Sequence, residues 1–184
     1  MNTIAGRIGT VGTVIVMGFF SSLFGRGKRA AGRFDPTKVA DVYTGLRNQV
    51  LQIRETEKSA RVAALLMETG YPEAVVTLVT IADGTTSLYF SNGGGIIGAG
   101  EHDSVRSAAS ALLRLAAQHG SEMVETNEFP LPGEGRVRFY LITSGRVLTA
   151  EAAEQDLGYN RAALSSLFHE AHKVIATVRE HSPQ

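Results

Sequence analysis

The chain has 184 residues, 18 basic against 18 acidic side chains, and neither cysteine nor tryptophan. Zero net charge supplies no global field to draw in nucleic acid. The missing thiols exclude disulfides, thiolate nucleophiles, zinc ribbons and iron–sulfur clusters. Hydrophobic residues at 43% suffice for the core of one domain, and aromatics at 7% leave few stacking platforms for bases or sugars.

Ile8 to Gly25 carries no charge, with Arg7 before it and Arg26, Lys28, Arg29 and Arg33 after it. At ~1.5 Å per residue this stretch reaches ~27 Å, the lower limit for a membrane span. The basic cluster behind it would hold the bulk of the chain on the cytoplasmic side. Two other readings compete. Met17 resembles a natural bacterial start, which would make residues 1–16 an upstream extension. Phe19, Phe20, Leu23 and Phe24 would then form an amphipathic turn lying on the inner membrane surface or on a partner. Residues 1–34 are thus an apolar and basic appendage ending in a linker, and 35–184 a single α/β domain.

Asp35-Pro36 marks a helix start, with Asp at the N-cap and Pro at the first helical position. Val39, Val42, Tyr43, Leu46, Val50 and Ile53 follow at helical spacing. The polar run 54–59 interrupts this stripe, and Val62, Leu65, Leu66 and Met67 resume it. The expectation is one long helix or two bent at the run, closed by Gly70 at C′ and stopped by Pro72. Residues 74–82 then read as a buried strand, Asp83-Gly84 as a tight turn and 85–90 as the returning strand. A helix follows over 104–119, capped by Asp103 or Ser104, with small residues that would let another backbone approach. Residues 121–135 read as a loop with one short strand at 123–128. Strands follow at 136–142 and 147–150 about a turn at 143–146. Asn160 caps a last helix, 161–180, whose apolar face is Leu164, Leu167, Phe168, Ala171, Val174, Ile175 and Val178. The fold class is α/β (α+β): an antiparallel sheet with helices on its faces, in the order α-β-β-α-β-β-α, led by a long N-terminal helix.

No catalytic or metal constellation stands out. Gly93, Gly94, Gly95, Gly98 and Gly100 precede a helix as a phosphate loop would. They match neither GxxxxGK[ST] nor GxGxxG, and Glu101 and Asp103 put negative charge where phosphate would sit. They read as a bulged strand end, with a small-molecule loop as the alternative. Glu101-His102-Asp103 reads as capping. His169 and His172, at i and i+3, lack the HExxH spacing and a third ligand, and read as boundary residues of the last helix. There is no GxSxG. No cofactor and no metal are expected.

Ala82-Asp83-Gly84, Leu88-Tyr89-Phe90-Ser91, Gly98 and the run from Asp103 to Leu113 resemble the roadblock / dynein light chain family. The order from Arg61 to Glu180 is similar to that family's, and profilin-like and longin-like domains share this kind of topology. The resemblance implies a small sheet between helices, homodimers joined sheet edge to edge, and a scaffold or regulator of small GTPases. The expected function is therefore a non-catalytic protein-binding adaptor or regulator in the cytoplasm, working at the inner face of the membrane if the N-terminus lies on it. Its interface residues would be Val105, Ala108, Ala109 and Leu112 on the small-residue helix and Val42 and Leu46 on the first, together with a free strand edge. A ligand-binding or enzymatic domain built on the glycine loop, and an immunity- or antitoxin-type inhibitor, are the alternatives.

Overall fold

Residues 64–70 form the central strand of the sheet, where the apolar pattern predicts helix. The structure, a computed structural model, describes Asp35 and residues 38–53, 62–143 and 145–181. The uncharged stretch 8–25, with Phe19, Phe20, Leu23 and Phe24, lies outside the described residues. No helix among the described residues is long and apolar enough to cross a membrane.

In chain order the elements are α1 (Asp41–Leu51), β1 (Ala64–Gly70), β2 (Val75–Ile81), β3 (Thr86–Phe90), β4 (Gly95–Ile96), α2 (Asp103–Gln118), β5 (Val124–Thr126), β6 (Arg136–Thr143), β7 (Arg146–Ala153), α3 (Glu154–Gly158) and α4 (Ser165–Glu180). The seven strands form one antiparallel sheet in the order β4-β3-β2-β1-β6-β7-β5. The α+β class and the helices on both faces hold. The order gains β1, β4 and α3, together with β5, the short strand expected within the loop 121–135.

β1 escapes a periodicity reading because both its faces are buried. Leu65 and Met67 join the core beneath α2 and α4, while Ala64 and Leu66 join the second core beneath α1. A run that is apolar on both faces shows no alternation, so it cannot be told from a buried helix. Gly70 is the last residue of β1 rather than a helix C′ residue, and Tyr71 to Ala74 turn the chain into β2, with Tyr71 N–H donating to Ala74 O at 2.9 Å. The Asp83-Gly84 turn forms as expected. Gly84 takes φ +94°, and the Thr85 N–H donates to Asp83 Oδ1 at 2.8 Å.

Three boundaries move for tertiary reasons. The first helix begins at Asp41, because the Ala40 N–H donates to Ser91 O at 2.9 Å and holds that residue extended beside the end of β3. β7 runs on to Ala153, because the carboxylate of Glu151 pairs with Arg136 at 2.9 Å and with Arg138 across the strands. Asn160 sits at φ +57° and closes α3 instead of capping α4, which starts at Ser165.

Candidate functional site

α1 lies across the sheet face opposite α2 and α4 and covers a floor that is polar as well as apolar. Glu68, in a seven-residue strand buried along its whole length, is 0% exposed. Arg47 of α1 grips it bidentately, Nε to Oε1 at 2.5 Å and Nη2 to Oε2 at 3.0 Å. The guanidinium also lies 5.5 Å from the centroid of the Tyr140 ring. Tyr43, one helical turn earlier, shares a 2.8 Å hydrogen bond with the Thr77 hydroxyl. Burial pushes the Glu68 carboxyl above its ordinary range against the pull of Arg47. Burial likewise opposes the Arg47 charge, but the hydrogen bond and charge of Glu68 outweigh it and keep the guanidinium protonated. Burial, with Glu68 beside it, also raises the Tyr43 phenol, so it stays neutral.

Next to this pair an apolar cavity of about 90 Å³ opens between α1 and the glycine-rich turn, lined by Val42, Tyr43, Leu46, Tyr89, Gly93, Gly94, Gly95 and Ile97. Two sets of sequence-predicted residues meet here, Val42 and Leu46 of the first helix and Gly93 to Gly95 of the loop. The approach is close. A Cβ on Gly93 would lie 3.2 Å from the Ala40 Cβ, and one on Gly95 2.5 Å from Leu88 O. The cavity is far below the ~300–1,000 Å³ of ordinary small-molecule sites. It has the dimensions of one aliphatic side chain. Val42, on its rim, is 57% exposed.

The other predicted residues go elsewhere. Gly98 precedes the 3₁₀ turn 99–101 at its N-cap, and within the turn Gly100 presses on the backbone of Gly84 and Thr86. Val105, Ala109 and Leu112, expected at an interface, are at most 1% exposed, and Val105 and Leu112 pack into the chain's own core. Ala108 is half-buried against the same core. Glu101, His102 and Asp103 are exposed. His102 occupies the N-cap position of α2 without a side-chain cap bond, and Asp103 pairs with Arg106 at 3.3 Å. Among the described residues no group of three or more His, Asp or Glu is placed to hold a metal ion. His172 lies against the Phe168 ring at 4.3 Å, its Nε2 buried and without a hydrogen bond.

α2 and α4 run antiparallel and are clasped at both ends by pairs that sequence reading missed. Ser104, second residue of α2, meets Nε2 of His181, the residue after α4, at 2.7 Å. Ser166, second residue of α4, meets Nε2 of His119, the residue after α2, at 2.8 Å. His102 stacks on His181 at 4.0 Å, whereas His119 Nδ1 faces Glu122 Oε2 at 3.0 Å. The sequence signal was slight: one His-x-x-Glu spacing, with its serine 47 positions away.

Neither a family model, nor a curated protein, nor a solved structure matches this chain.

Proposed function

We propose that this chain is a protein-binding module of the roadblock-like kind, an adaptor or regulator that uses the α1 face. A second copy of the chain is its first partner, and a small GTPase is the partner class that the resemblance implies. The observation that carries the reading is Val42, exposed on the rim of an apolar cavity sized for one side chain. A partner that seats an aliphatic side chain there buries both surfaces, and anchors of this kind supply most of the energy of protein interfaces. The sheet edges offer less. β4 has two residues and β5 three, and short edge strands pair poorly with another chain.

The test is the mass in solution of the full chain by light scattering over a range of concentrations, for the wild type and for Val42→Asp. The expected result is a wild-type mass of twice 19.6 kDa that falls to one chain in the variant, with an unchanged melting temperature. A one-chain mass at every concentration, or a dimer indifferent to the substitution, sinks the reading.

A further inference from the structure

We propose that Ser166 is a histidine-activated nucleophile able to take the acyl group of a small ester, with His119 as its base and Glu122 as the group that orients the base. The inference stands apart from the α1 face and departs from the expectation that the chain holds no catalytic constellation. It rests on connectivity. Glu122 Oε2 lies 3.0 Å from Nδ1 of His119, and Nε2 of the same ring lies 2.8 Å from Ser166 Oγ. A carboxylate only accepts, so Nδ1 carries the proton and Nε2 presents its lone pair to the Ser166 hydroxyl. Nucleophile, base and orienting carboxylate in this sequence of atoms are what acyl transfer by serine requires.

Accessibility fits the roles. Ser166 is exposed, the His119 side chain is 14% exposed, and Glu122 covers the flank of the ring at 38%. The base is shielded while the nucleophile is open to solvent. Ser166 also lies in the first turn of a 16-residue helix, whose dipole favours negative charge developing on an acyl oxygen near that end. The opposite clasp is an internal control. Ser104 holds the same place in α2 and meets His181 in the same way, but that histidine has the ring of His102 stacked on its face, whereas His119 has a carboxylate at Nδ1.

The step balances without a further reactant. The Ser166 O–H proton passes to His119 Nε2 as Oγ forms a bond to the acyl carbon. The tetrahedral adduct collapses, and the departing alkoxide takes that proton as the alcohol. Water then repeats the sequence, giving its proton to Nε2, attacking the acyl carbon and releasing the carboxylic acid, while Oγ recovers the proton.

A fluorophosphonate probe on the full chain, read by intact mass and peptide mapping, tests this. One adduct is expected, on Ser166, forming at least tenfold faster than any on Ser104. Ser166→Ala abolishes it, and His119→Gln slows it at least tenfold while the melting temperature stays within a few degrees. The absence of an adduct overturns the proposal. So does equal labelling of the two serines, or a rate on Ser166 that ignores His119→Gln.

Discussion

Arg47 and Glu68 form the most consequential pair in the protein, because neither reaches water with its charge intact: the side chains are 8% and 0% exposed. Breaking such a pair strands a buried charge, which costs ~3–5 kcal/mol, whereas replacing both partners with apolar groups of similar volume is close to neutral. Arg47→Ala is therefore expected to lower the urea-unfolding free energy by ~3–5 kcal/mol, and the double variant Arg47→Met, Glu68→Met by far less. Equal losses in the two would show that the ion pair is not what holds α1. His172 makes the matching case for pH. Burial first, and then the charge of His169, hold its pKa below the ordinary 6.5. Between that lower folded value and the unfolded one the unfolded chain binds more protons, so this contribution is complete above pH 6.5 and is lost as pH falls. His172→Gln should flatten the decline of stability between pH 7 and 5, by at most ~1.4 kcal/mol per pH unit. An unchanged slope would assign the decline to other groups. Neither Glu68 nor its partner was legible in the sequence: the apolar pattern put Glu68 in a helix, and the two stand 21 positions apart.

At the scale of elements, the glycine-rich segment shows how close approach and backbone freedom differ. Gly98 takes φ +77° with nothing near its missing side chain, whereas Gly100 lies against the Gly84 carbonyl. Gly98→Ala should cost ~1–2 kcal/mol from the left-handed conformation alone. Gly100→Ala should cost more, because backbone must shift and the start of β3 with it. Thermal unfolding of the two variants checks the order, and the reverse order would mean that the turn 99–101 is not packed as described. The hairpin β2–β3 and the helices α2 and α4 were legible from turn chemistry and a clean apolar stripe. β1 was not, because its two faces feed two different cores. The helix start at Asp35-Pro36 was overridden by the bond from Ala40 N–H to Ser91 O, a contact 51 positions away that no local pattern carries.

At the scale of the whole molecule, one sheet is covered by α1 on one face and by α2 with α4 on the other, and each face carries its own kind of site. The α1 face joins an ion pair, an apolar cavity and an exposed valine, and the Val42→Asp measurement tests it as a docking surface. The opposite face holds two Ser–His clasps, and among the described residues a carboxylate backs only that of Ser166. Both sites depend on strands and helices far apart in sequence, so a substitution in the sheet that shifts α1 should leave the Ser166 clasp untouched.

Composition and local pattern determined, by themselves, the class of fold, the Asp-Gly hairpin, the two helices of the second layer and the exclusion of thiol chemistry, because these depend on residue type and on neighbours within a few positions. Tertiary structure alone decided the rest. It placed β1 at the centre of the sheet, matched Arg47 to Glu68, brought the glycine turn against Val42 and Leu46, and set Ser166 beside His119. Each of these is a meeting of side chains from separate elements. Its energy comes from burial or from a hydrogen bond completed across space, which spacing along the chain does not encode.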